Sequence, residues 1–411
     1  MELISKGCSV KKFILILFVI TSIPILAFAE DFKEVRKGVV DGVWKKIGFL
    51  YIDPSILLNN VGFNSNIYHF DKKATPDWTA DAGLAINFSA LVGKRFVIVV
   101  KESPYYSFFL KNKDLQFFNN KFSATIYTYL GRFNLMYNYS VNNILSRPTV
   151  EFGKRVKTKK YNSKITLDYG NYNRFFMKIS VGKTNIDYDD SKYLGQYNVS
   201  SNLNMVRSVV SLTLNKVIFT RTLLFFRLEY FDLKFDSDTK KDGTGGIFSA
   251  GIKFPEVSIL KGQFRIGLKY FTSENPMVEK YLKPNGSGNI SIKLARRFKL
   301  HLSYVIDNRY SFYVPNHYFD IKSYTVGLDY YLGKGMKAGY DFSIGSIIYK
   351  EITGGKTGRE DKTEISNFKF GIRISGNMEL GIKYTNYFGK SSSKEFSRRF
   401  HFIGGYINHE F

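Results

Sequence analysis

Few residues that could do covalent chemistry sit in a usable arrangement. The chain has five histidines and one cysteine. Only His301 falls on the polar face of a strongly patterned stretch, two residues from Ser303. A serine and a histidine two apart on one strand face is a common juxtaposition, and acyl transfer needs a nucleophile, a base and an orienting group together. Asp236, Asp238 and Asp242 before Gly243 have the outline of a calcium loop, but Lys240 stands where a ligand oxygen is required. No cofactor motif or metal-ligand spacing is legible, so the sequence points away from an enzyme.

The charged side chains say more. Lys and Arg number 60 against 35 Asp and Glu, a net charge of +25. On the best patterned stretches one face carries Lys164, Lys178, Lys253, Arg265, Lys269, Lys293, Lys299, Arg309, Lys337, Lys369, Arg373 and Lys383. Asp168, Asp307, Asp329, Asp341 and Glu379 are the anions on the same face. Residues 147 to 160 add a basic stretch of Arg147, Lys154, Arg155, Lys157, Lys159 and Lys160 against Glu151. Fixed cations around a water-filled pore favour anions. The competing arrangement pairs Lys with Asp across strands and fills the interior. Gly267, Gly327, Gly339, Gly371 and Gly381 among the inward positions spare volume and favour the open pore.

These faces must be positioned by strands. From Ser55 onward the pattern has period two, in segments of about 10 to 16 residues. Phe298, Leu300, Leu302, Tyr304 and Ile306 oppose Lys299, His301, Ser303, Asp307 and Arg309. Phe368, Phe370, Ile372 and Ile374 likewise oppose Lys369, Gly371 and Arg373. Soluble sandwich strands are nearer five or six residues, whereas about ten, tilted, cross a bilayer. A closed barrel also leaves no unpaired backbone in lipid. Tight turns near Gly93, Gly131, Gly170 to Asn173, Lys261-Gly262, Arg296, Gly333 and Gly376 alternate with polar stretches at 146–160, 189–201, 236–246, 273–288, 351–361 and 389–394. Short periplasmic turns and long outside loops give that rhythm. The fold class expected is all-β, a transmembrane antiparallel up-and-down barrel of about 18 strands. Counts of 16 to 20 stay open because residues 225 to 235 change phase near Tyr230, where a bulge could hide a miscount.

Composition supports one such domain. The chain has 38 Phe and 29 Tyr, too aromatic for disorder, and a single long apolar run, too few for a helical transporter. That run follows Lys11 and Lys12, spans Phe13 to Ile20 and ends at Ala27-Phe28-Ala29, the form of a secretory signal peptide cut after Ala29. Residues 1–29 are therefore expected to be removed, Cys8 with them, leaving a chain of +23. Residues 30–47 form a periplasmic segment with Phe32, Val35, Val39 and Val43 on one side of a short helix, which either hangs in the periplasm or enters the lumen. Residues 48–411 form the barrel.

The last strand places Ile403, Gly405, Ile407, His409 and Phe411 on one face. Its terminal Phe411 resembles the signal by which bacterial barrel assembly machinery recognises its clients. The first third, Val61 to Tyr68 followed by Asp77-Trp78, with Arg147 and Glu151 to Arg155, resembles the β-barrel porin family often called beta-barrel porin 2, over about residues 50 to 160. That resemblance implies an outer-membrane barrel without catalysis, often tied to exopolysaccharide export. The expected partners are outer-membrane lipid, lipopolysaccharide, and small anions or an acidic polysaccharide, with no nucleic acid. Aromatic residues first supply lipid-facing girdles, while Tyr127, Tyr129 and Tyr331 point inward and could stack on sugar rings. A structural or adhesive barrel with a plugged lumen and glycan-binding basic loops is the alternative.

Overall fold

The computed structural model describes residues 30–411, apart from 41–42, 70–73, 132, 150–154, 190–191, 194–196, 220–221, 238–240, 256–258, 277–279, 312–317, 334, 351–356, 376–377, 394–395 and 411. The expected signal peptide and Phe411 lie outside these residues. Eighteen antiparallel strands close a barrel. They are β1 Leu50–Asn64, β2 Asp77–Val92, β3 in two pieces (Phe96–Glu102 and Tyr105–Phe109), β4 Phe117–Leu130, β5 Phe133–Ser146, β6 Val156–Asn171, β7 Phe175–Tyr188, β8 Met205–Ile218, β9 Thr222–Phe235, β10 Gly243–Phe254, β11 Leu260–Ser273, β12 Tyr281–Lys293, β13 Phe298–Tyr310, β14 Tyr318–Gly333, β15 Met336–Lys350, β16 Thr357–Ser375, β17 Met378–Ser391 and β18 Arg398–Glu410. Pairing of β1 with β18 completes the ring.

Alternation decides which side chains face out. Val326, Ile382 and Ile403 are 53%, 58% and 60% exposed on the outer surface. Water would penalise such a surface, and lipid does not. A 14-residue strand is about 46 Å long and, tilted, rises enough to cross the roughly 25 Å apolar band of an outer-membrane barrel.

Two readings of the sequence need correction. Strands continue further toward the long loops than their apolar pattern does: pairing reaches Val156 on β6, Tyr281 on β12 and Thr357 on β16. Lys261 and Gly262 likewise already belong to β11 rather than to a turn. Hydrogen bonding between strands does not stop where the lipid does. The change of phase at Tyr230 is also not a bulge, because β9 pairs without a break from Thr222 to Phe235. Tyr230 is 45% exposed on the outer side, and Phe231 and Leu233 beyond it are buried inside. It is the surroundings of each face that change at that height, while the backbone register is constant. Irregularities occur instead in β1 near Asn60, whose φ of 53° is left-handed, and near the ends of β14, β15 and β16.

The amphipathic segment is a helix, α1, over Glu30–Val40. Phe32 and Val39 are buried and pack with Tyr51, Val97, Leu91, Val99, Tyr127 and Tyr129. These wall residues alternate with outward-facing Phe96, Ile126 and Leu130, so the helix lies inside the barrel, at its short-turn end. Phe32 stacks on Tyr129 at 5.7 Å, and Arg36 donates to the Gly93 carbonyl at 2.8 Å. Tyr127 and Tyr129 do point inward, but they serve the helix rather than a sugar. Phe32→Asp should cost the docked helix about 3 kcal/mol or more. Single-channel conductance in planar bilayers should then rise toward that of a chain lacking residues 30–40.

Candidate functional site

The inner face carries charge from mid-height, at Lys164, Arg227 and Arg265, down to the short-turn rim, at Lys253, Lys293, Lys299 and Arg373. All twelve cations read from the alternation share the face opposite the exposed apolar side chains of their strands. Arg207 on β8, and Arg227 and Glu229 on β9, join them. The change of phase near Tyr230 left these last two without a face in the sequence, and the unbroken register puts them inside. Glu229 is gripped from both sides, by Arg207 at 2.7 Å and Arg227 at 2.5 Å. Lys164 and Arg265 each stand close enough to Arg227 and Glu229 to feel their charges.

The five inward carboxylates expected from the alternation are all engaged. Asp168 holds Lys178 at 2.9 Å, and Asp307 takes Lys269 at 3.2 Å and Arg309 at 3.6 Å. Lys337 lies 3.0 Å from Asp329, and Lys369 lies 3.9 Å from Asp341. Glu379 accepts from the Tyr406 hydroxyl at 2.8 Å. The inward glycines explain how these groups fit. A side chain on Gly327 would collide with the Asp341 carboxylate, on Gly339 with Asp329, and on Gly371 or Gly381 with Tyr406. Those glycines thus make room for paired groups and say nothing of open water. Among the described residues, Lys164, Lys253, Arg265, Lys293, Lys299, Arg373 and Lys383 have no carboxylate within ion-pair distance. Positive charge therefore exceeds its internal partners. The wall of β1 to β5 differs, presenting neutral groups such as Asn138 on Thr125 at 2.7 Å, with Asp53 and Asp81 bonded to Asn87 and Ser107.

His301 has partners, though not Ser303. Its Nδ1 faces the Ser291 hydroxyl at 2.9 Å and its Nε2 faces Asp329 at 2.6 Å. The three residue types are those of a hydrolytic triad, but acyl transfer also needs free donors for an oxyanion. The backbone around Ser291 is paired on both sides, to β11 and β13. Asp329 is shared with Lys337. The arrangement ties β12, β13, β14 and β15 together.

The basic stretch does not project as one outside loop. Lys157, Lys159 and Lys160 belong to β6, and Lys154 lies outside the described residues. Arg147 turns back to donate to the Ile67 carbonyl at 2.7 Å, and Arg155 lies over the Phe109 ring at 5.3 Å. Ser65 and Asn66 are drawn to the same mouth, where they bond the backbone of His401 and Arg399 and pin the top of β1 to β18. Ser65, Asn66 and Arg147 thus meet at the seam where the barrel closes. His69 stacks on Phe400 at 3.8 Å there.

The solved structures that resemble this chain include two from one organism. The outer-membrane protein OpdK of Pseudomonas aeruginosa superposes with a TM-score of 0.52 at 10% identity, over 88% of this chain and 98% of its own. OpdO of the same organism gives 0.51 at 13% identity, over 88% and 97%. The fold is that of outer-membrane β-barrel channels. No family model matches the chain, and no curated protein matches it in sequence.

His69 gives the mouth a dependence on pH. Burial, then the charges of Arg147, Arg398 and Arg155, push its pKa down to about 2 from 6.5. The folded mouth thus excludes a proton that the opened chain accepts, so the contribution is complete above about pH 6.5 and is lost as pH falls. At pH 5 the loss is about 2 kcal/mol. Hydrogen exchange across residues 65–69 should accelerate between pH 7.5 and 5, after correction for intrinsic rates, and His69→Phe should remove that excess.

Proposed function

We propose that the chain is an outer-membrane channel that conducts small anions in preference to cations. The observation that carries this reading is the excess of inward cations over their carboxylate partners among the described residues, with Lys164 and Arg265 unpaired at mid-height beside Arg227. Rings of fixed positive charge raise the local concentration of anions and lower the barrier to their entry. The fold supports placement in the outer membrane. A signal peptide at residues 1–29, recognition of Phe411 by assembly machinery, and lipopolysaccharide around the outward lysines Lys157 and Lys159 complete the proposal. An acidic polysaccharide would suit the same charge, and it is the substrate class that the porin-family resemblance implies. Helix α1 against the inner wall and the turned-in residues Arg147 and Arg155 favour small solutes over a polymer. They also count against an adhesive role for a projecting basic loop.

The test is the zero-current potential across a planar bilayer in a KCl gradient. The protein should show chloride preference, strongest at low salt where screening is weak. Replacing Lys164, Arg227 and Arg265 together by Gln should reduce the permeability ratio several-fold, whereas Lys157→Gln and Lys159→Gln on the outer face should leave it in place. A cation preference in the unaltered protein at low salt would overturn the reading.

A further inference from the structure

Register between strands brings together lysines that lie far apart in the sequence. Lys293 of β12 stands directly opposite Lys299 of β13, and Lys299 opposite Asp329 of β14. Asp329 in turn faces Gly339 of β15, Gly339 faces Lys369 of β16, and Lys369 faces Lys383 of β17. One row of the ladder therefore carries four lysines as two facing pairs. It starts at the short-turn rim, where Lys293 ends β12, and climbs into the wall. Lys293 and Lys299 both point into the lumen, because Leu294 and Phe298 next to them are exposed on the outer side.

Like charges directly opposite on one sheet face repel, with their Cβ atoms about 5 Å apart. The carboxylate in this row cannot relieve the first pair, since Asp329 is already held by His301 at 2.6 Å and by Lys337 at 3.0 Å. Among the described residues neither Lys293 nor Lys299 has a carboxylate within ion-pair distance, and Lys293 is exposed. At the second pair Asp341 reaches Lys369 at 3.9 Å. Only the first pair is thus left wholly without an internal counter-charge. A monovalent ion offsets one of two facing ammonium groups. A tetrahedral dianion offsets both and offers each an oxygen, in hydrogen bonds roughly twice as strong as those between neutral groups.

We propose that Lys293 and Lys299 together bind a divalent tetrahedral oxyanion, sulfate or hydrogen phosphate, at the short-turn end of the lumen. The inference rests on the anion-channel reading and adds a class of retained solute to it. The experiment uses the full chain in planar bilayers in KCl, with sodium sulfate, sodium methanesulfonate and inorganic phosphate as probes. Sulfate should reduce chloride current saturably, with half-block at least about tenfold below that of methanesulfonate, which has the same kind of head with one charge fewer. Phosphate should block likewise at about pH 8, where it is a dianion, and the lower of the two half-block concentrations identifies the oxyanion. Lys293→Gln and Lys299→Gln should each raise the sulfate half-block concentration about tenfold, whereas Lys299→Arg should hold it within about threefold. Lys253→Gln removes one unpaired inward charge from the same rim without touching the pair, and should shift it by about twofold or less. Current in sulfate-free KCl shows that each variant has assembled. Equal block by sulfate and methanesulfonate, a block indifferent to Lys293→Gln and Lys299→Gln, or an equal shift in Lys253→Gln overturns the site while chloride preference stands. Sulfate block without chloride preference keeps the site and overturns the channel reading instead.

Discussion

Within the regular ladders, each residue of the barrel wall has a neighbour on either side and one of two faces to occupy. Once β1 pairs with β18, a slip of a single residue in any strand would exchange its lipid-facing and lumen-facing sets. At mid-depth that exchange would put Lys164, Arg227 or Arg265 into lipid, at about 2 to 4 kcal/mol each. Register is therefore enforced from both sides. Apolar residues have nowhere else to face, and the charges can be hydrated or paired only within.

The interior follows from that enforced register. Long cations and their carboxylates share the inner surface with glycines, and the clash of a side chain on Gly327 with Asp341 shows that these glycines leave room for the acids. Pairing consumes the carboxylates before it consumes the cations, and the surplus is what a permeating ion would meet. Polar contacts also do mechanical work. His301 joins Ser291 to Asp329 across successive strands, and Ser65 and Asn66 close the seam. The inner aromatic residues divide by height: Tyr127 and Tyr129 seat helix α1 near the short turns, and Phe231 and Phe271 line the opposite end.

The sequence was legible where lipid imposes a pattern. The strand count and the inward placement of Lys269, Lys337 and Arg373 follow from alternation within the bilayer. Beyond the bilayer the outer face is free to be polar, and the pattern fails although pairing continues. That is why Lys157 and Lys159 read as part of a loop. Partners brought together across strands were also hidden. Nothing in the spacing of Ser291, His301 and Asp329 announces their contact, since register fixes it only after the turns are known. The destination of α1 depended on packing against Val97 and Tyr129, which the helix's own sequence does not specify.

The central claim is a constant register on β9 with a change of surroundings near Tyr230. Single cysteines placed at residues 225 to 230 in a Cys8→Ser background, in reconstituted vesicles, test it with a water-soluble maleimide. Labelling should be strong at 225, 227 and 229, which face the lumen, and weak at 226, 228 and 230, which face lipid. Strong labelling at the even positions, or a switch of parity before residue 230, would contradict the account.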